Sequence, residues 1–199
     1  MKNFKRKVKF DDFIYELPNQ LSPHFCKQLI KKYEKTYDKH GIGVVGNSNE
    51  VVLDLKQSED LYIRDLDEFK VEREVLNFSV RKLLQNYANH LGKIYDGYRQ
   101  MFYSEFKDSG SQMQKTTPGG FYNWHSDFLP DTNRYLTYIY YLNDVKKKGY
   151  TQFANGRKIK PEQGKAIMFP AQWDFVHRGV APKKELKYIV TGWLAYAST

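Results

Sequence analysis

The stretch Tyr135-Leu136-Thr137-Tyr138-Ile139-Tyr140-Tyr141-Leu142 is an uncharged run of aromatic, β-branched and aliphatic residues between Arg134 and Asn143. Such residues suit a pleated surface, and the run reads as a strand on which Tyr138 and Tyr140 share one face and Tyr141 takes the other. Similar short runs follow residue 100 at 101–106, 112–116, 151–153, 166–169 and 187–196, separated by Gly, Pro and Asn. Six short strands without intervening helices indicate a sandwich or barrel.

Upstream of residue 100 the pattern is helical. Ser22-Pro23 offers an N-cap and an N1 proline, followed by Phe25, Leu29, Ile30 and Tyr33 at helical spacing until Gly41 and Gly43. A longer helix is predicted over 67–91 from Phe69, Val75, Leu76, Leu83, Leu84, Tyr87 and Leu91, with Gly92 as its stop. The interval 42–55 reads as turn and short strand. The expected fold class is α+β: a double-stranded β-helix, or jelly roll, with the N-terminal helices packed on one sheet. A chain of 199 residues fits one domain, 1–199, with 1–100 as helix-rich support and 101–199 as the β core that holds the site.

Composition narrows the function. Aromatic residues make up 16% of the chain, which argues against intrinsic disorder. The single cysteine, Cys26, excludes an internal disulfide and a cysteine zinc cluster, and reads as a small buried hydrophobe in a reducing compartment. No apolar window is long enough to span a membrane, and the charged start MKNFKRKVKF is followed by no apolar h-region, so a cytoplasmic protein is expected. The formal charge of +9 could attract nucleic acid, but the lysine clusters at 5–7, 31–32, 146–148 and 183–184 are short and scattered, which makes that the weaker reading.

Of the five histidines, His24, His40 and His90 have structural explanations beside helix ends and turns. His125 differs because it stands in Trp124-His125-Ser126-Asp127, and residues i and i+2 of an extended segment project to one side. His177 offers a third ligand from a later strand. Two imidazoles and one carboxylate suit non-haem Fe(II), with zinc as the competitor on ligand type alone. Lys187, in the alternating run Lys187-Tyr188-Ile189-Val190-Thr191-Gly192-Trp193, would bury a cation that needs an anion, and a dicarboxylic cosubstrate would be one.

In order and spacing these residues resemble the 2-oxoglutarate and Fe(II)-dependent dioxygenases, and among them the prolyl 4-hydroxylase-like group. The resemblance rests on Leu21-Ser22-Pro23, Cys26 and Leu29-Ile30, then on Gly119, Tyr122, His125 and Asp127 as G-x-x-Y-x-x-H-x-D. It continues through Arg134, Thr137 and the strand 138–143, Thr151-x-Phe153, Pro161-x-x-Gly164, Phe169-Pro170, His177-Arg178-Gly179 and Lys187 to Trp193. It implies that His125, Asp127 and His177 bind iron. Lys187 would pair with the distal carboxylate of 2-oxoglutarate, Tyr141 would donate to the same group, and Tyr122, Arg134 and Trp193 would line the substrate groove. The implied cosubstrates are 2-oxoglutarate and O2, with ascorbate as a reductant, and the implied substrate is a peptide or protein containing proline.

Two departures from the family pattern are visible. Thr116 stands where these enzymes often carry a tyrosine, and Lys148-Gly149-Tyr150-Thr151 replaces Gly-Gly-Glu-Thr. The first changes one hydrogen bond or wall near the cosubstrate, the second bears on substrate choice, and the implied metal and cosubstrate residues themselves are retained. The alternatives are a hydroxylase of a free amino acid or other small molecule, a nucleic-acid demethylase of the same superfamily, and a non-catalytic binding module. The chain end lacks the arginine and asparagine pattern of the demethylases.

Overall fold

Ser22 opens the first helix as its sequence predicts: its Oγ accepts the Phe25 amide at 3.2 Å, a cap worth about 1 kcal/mol. The computed structural model describes residues 7–46, 50–102, 106–130 and 132–196. Its first half holds β1 (Tyr15–Leu17), α1 (Pro23–Lys35), β2 (Gly41–Ile42), β3 (Glu59–Tyr62), α2 (Lys70–Gly92) and α3 (Asp96–Gln100). Its second half holds β4 (Phe106–Asp108), β5 (Gln112–Thr116), β6 (Tyr122–His125), β7 (Arg134–Tyr141), β8 (Thr151–Phe153), β9 (Lys158–Ile159), β10 (Ala166–Pro170), β11 (His177–Gly179) and β12 (Lys187–Tyr196).

The strands form two antiparallel sheets. The larger runs β1-β10-β7-β12-β5-β3-β2, with β4 also on β12, and the smaller runs β6-β11-β8-β9. Strand β7 decides the layering. Leu136, Tyr138 and Tyr140 point to the helices and join Leu29, Tyr33, Leu76, Leu83 and Tyr87 in one buried cluster. Ile139 and Tyr141 point the other way, into a second cluster with Phe153, Ile167, Phe169 and Ile189 between the sheets. Both clusters are therefore built on the period-2 alternation of one strand. Each fully buried large apolar side chain in them contributes about 1.5–3 kcal/mol.

Helix α2 starts at Lys70, after a 3-10 turn over Asp67–Phe69, three residues later than the sequence pattern predicts. Leu76, Val80, Leu83, Tyr87 and Leu91 form its buried stripe, whereas Val75, one step off that stripe, is exposed and is no core residue. The strand expected at 101–106 begins at Phe106 instead; residues 103–105 of that expectation lie outside the described residues. Residues 50–64 hold β3, and 107–111 hold the end of β4.

Gly164 ties the N-terminal half to the barrel. It has φ +81°, and a Cβ there would lie 2.3 Å from the Leu21 carbonyl oxygen. Only glycine fits, and its own carbonyl accepts the Gln20 and Leu21 amides.

Candidate functional site

The site lies where β6 and β11 run side by side. His125 and His177 face each other across that ladder, with ring centroids 4.3 Å apart, and Asp127 follows just beyond the end of β6. His125 Nε2 is 3.9 Å from Asp127 Oδ1 and His177 Nε2 is 3.7 Å from Asp127 Oδ2. One ligand atom from each of the three residues lies within 4.8 Å of the others, the only such group among the described residues.

The surroundings prepare these donors for a metal. The His125 Nδ1 lies 2.8 Å from the Asn123 carbonyl and the His177 Nδ1 3.0 Å from the Phe175 carbonyl. Each ring donates its Nδ1 proton there and turns its Nε2 toward Asp127. Burial, and then the neighbouring His177, push the His125 imidazole down to about 3, so it is a neutral donor. Burial alone would raise the Asp127 carboxyl. His177, His125 and the Thr137 hydroxyl, which donates to Oδ2 at 2.7 Å, outweigh that and hold it ionised. Tyr122 stacks flat on His125 at 3.5 Å and fixes its plane. Two imidazoles and one carboxylate, each with a second hydrogen bond behind it, fit a divalent ion with positions left open.

Behind the trio lies a chamber between the sheets, lined among others by Lys187, Thr151, Thr116 and Ile139. Lys187 is buried at 5% exposure and has no carboxylate partner among the described residues. Burial pushes its ammonium down to about 8. The chamber thus has a metal site at one end and an uncompensated buried cation in its wall, which suits a small dianion. If the ammonium is the anchor, cosubstrate affinity should be flat below neutrality and weaken about tenfold per pH unit above about 8, as the free protein loses that proton. Calorimetric titration of 2-oxoglutarate between pH 6.5 and 9.5 checks this.

Tyr141 is fully buried between the sheets, and its hydroxyl donates to Thr151 Oγ1 at 2.7 Å. Thr151, not Tyr141, lines the chamber. In front of the trio a cleft of about 440 Å³ opens to solvent, lined by Tyr122, Trp124, Arg134 and Trp193 together with Val44 and Leu55. Arg134 stacks over the Trp193 ring at 3.7 Å.

One part of this wall is illegible in the sequence. Residues 55–57 pair with the free edge of β6: the Gln57 amide donates to the Phe121 carbonyl and the Asn123 amide to the Leu55 carbonyl. That places Lys56 between chamber and cleft, where its ammonium meets Asp60 at 2.5 Å and faces the Tyr122 ring at 5.2 Å. Asp60 also accepts from Gln112 and Ser58. Nothing in a polar loop with one lysine marks such a pair; only the four-residue spacing to an aspartate could have suggested it.

A sequence model of the 2OG-Fe(II) oxygenase superfamily matches residues 111–195, the span that carries the trio, the chamber and Lys187. Residues 111–195 form a 2OG-Fe(II) oxygenase domain. It uses Fe(II), 2-oxoglutarate and O2. No curated protein sequence matches the chain. The oxygenase is similar in fold to the viral collagen prolyl hydroxylase of Paramecium Bursaria Chlorella virus-1, with a TM-score of 0.68 and 20% identity over 93% of this chain and 97% of that one. It is similar to a Pseudomonas putida prolyl-4-hydroxylase at TM-score 0.64 and 15% identity, over 94% of each chain. A third likeness, at TM-score 0.73 and 16% identity over 93% of this chain and 84% of that one, is to the Trichoplax adhaerens prolyl hydroxylase in complex with a hypoxia inducible factor peptide fragment. These likenesses are to the double-stranded β-helix architecture. No helix among the described residues of the oxygenase is long and apolar enough to cross a membrane.

Proposed function

We propose that this oxygenase hydroxylates prolyl residues of a peptide or protein, with His125, Asp127 and His177 holding Fe(II) and Lys187 anchoring 2-oxoglutarate. The observation that carries the substrate reading is the open cleft in front of the trio and its apolar rim. Ile42, Val51, Leu53, Leu55, Tyr62 and Trp124 are large hydrophobic residues left exposed in the segments that form or flank it. A hydroxylase of a free amino acid has no use for such a rim, whereas a chain lying across the mouth would cover it. The three fold neighbours named above, each a prolyl hydroxylase and one bound to a peptide fragment, support the same choice.

Bound iron supplies oxygen activation coupled to decarboxylation of 2-oxoglutarate to succinate. The chain's own task is positioning. Lys187, itself buried, pairs with the distal carboxylate, and burial strengthens the pairing. Tyr141 acts through Thr151: by donating to Thr151 Oγ1 it turns that hydroxyl's proton toward the same carboxylate. Tyr122, Arg134 and Trp193 form the substrate-facing wall, and Lys56 fixes the segment that adjoins Tyr122. We read 1–199 as one catalytic unit with 1–100 as support, ascorbate as its external reductant, and a reducing compartment such as the cytoplasm as the setting that suits its lone buried thiol. Incubation with Fe(II), 2-oxoglutarate and a proline-rich peptide should add one oxygen atom to proline, read by mass spectrometry and hydroxyproline analysis. Succinate without any modified proline would contradict the substrate assignment.

A further inference from the structure

We propose that the outer cleft selects polypeptides with acidic side chains beside the residue to be hydroxylated, and that Arg134 and Arg178 are the groups that read them. The inference rests on the prolyl-hydroxylase reading and adds to it the charge of the flanking sequence.

Arg134 lines the cleft and Arg178 lies beside it, each guanidinium carried on an indole of the cleft wall. Arg134 lies 3.7 Å from the centre of the Trp193 ring and Arg178 lies 4.5 Å from that of Trp124, and both tryptophans line the cleft. Neither arginine has a carboxylate within salt-bridge distance among the described residues. Arg134 is half-buried and makes no hydrogen bond to any acceptor among the described residues, so its five N–H donors are available to a ligand. Arg178 gives two N–H groups to the Gln152 amide oxygen, at 3.1 and 2.8 Å. A neutral acceptor orients it without cancelling its charge.

The neighbouring lysine is treated differently. Lys56, in the same wall, is neutralised by Asp60. Partly desolvating a guanidinium without a counter-ion is unfavourable, and the stacking on tryptophan that offsets it also holds each planar fork in a fixed orientation. Such a fork matches a carboxylate in two parallel hydrogen bonds. Nucleic acid fits less well. One face of each indole is already covered by a guanidinium, which reduces the platform that unpaired bases would need, and the other basic residues form no continuous track.

The test uses the full chain with Mn(II) and 2-oxoglutarate in the absence of oxygen. Fluorescence anisotropy would compare labelled peptides with a central proline flanked by glutamates, by glutamines or by lysines, and a single-stranded oligonucleotide. At low salt the glutamate peptide should bind at least about tenfold tighter than the glutamine peptide, and the gap should shrink below about threefold in half-molar salt. Arg178→Met, which keeps an apolar stem over Trp124, should cost the glutamate peptide at least about threefold and leave the glutamine peptide unchanged. Equal affinities for the glutamate and glutamine peptides would overturn the inference, as would tighter binding of the oligonucleotide. Hydroxylation of the glutamine peptide, read in parallel by mass, separates the two levels: if it proceeds with no gain from glutamate, only the charge reading falls. If neither peptide binds or is hydroxylated while succinate still forms, the prolyl reading falls as well.

Discussion

Lys187→Met should make the protein more stable and deprive it of its cosubstrate. In the free protein the ammonium is buried without an anion, and burial alone drives it down to about 8. The sign follows from proton binding. Between about 8 and the ordinary lysine range the unfolded chain keeps the proton and the folded chain has lost it, so stability rises with pH there. At neutral pH the folded state bears the full cost of holding the charge, on the order of 3 kcal/mol by that difference. Methionine has a similar shape and no charge, so the variant should gain about 2 kcal/mol at pH 7 and lose that part of the pH dependence. Its affinity for 2-oxoglutarate should fall by at least about a hundredfold, because the carboxylate would meet no cation at the buried end of its site. Thermal unfolding at several pH values, with and without 2-oxoglutarate, reads both effects. A variant less stable than wild type that still binds the cosubstrate would remove Lys187 from the role assigned to it.

Asp127→Ala should abolish metal binding in a protein that remains folded. The carboxylate is the only anion in the trio, and its partners His125 and His177 are each held by a backbone carbonyl that the substitution leaves in place. Its one other side-chain contact is the Thr137 hydroxyl. Wild type should be stabilised by Mn(II) or Co(II) by about 2.7 kcal/mol at a metal concentration one hundred times Kd. The variant should show no metal-dependent shift in Tm over the same range. Thr137→Val should fall between the two, weakening metal affinity by about ten- to a hundredfold through loss of the bond behind the ligand. His125→Ala belongs with Asp127→Ala. A Tm shift retained in Asp127→Ala would place the metal elsewhere.

What the sequence made legible follows from chemistry that is local in the chain. Strand β7 was readable because alternation along it separates Tyr138 and Tyr140, packed on the helices, from Tyr141 between the sheets. Helix α1 was readable from Ser22 and Pro23. The trio was readable because His125 and Asp127 are two residues apart and His177 stands between the strand-like runs 166–169 and 187–196, and the structure brings all three together. Contacts between distant segments were not. Short strands such as β3 and β11, too brief to show alternation, gain their stability from neighbours rather than from their own composition. Lys56 reaches the site only because residues 55–57 add to the edge of β6. Tyr141 was expected to touch the chamber itself, but the pleat places Thr151 of β8 in between, and a side chain one layer back cannot be told from one in front by alternation alone.

The measurement that bears most directly on the account is succinate formation from 2-oxoglutarate, followed with and without Fe(II) and with and without a proline-rich peptide, in wild type and His177→Ala. The account predicts iron-dependent succinate that rises with the peptide and disappears in the variant, whose circular dichroism should match wild type. Succinate formation that persists in His177→Ala, or that is absent from iron-loaded wild type, would contradict it.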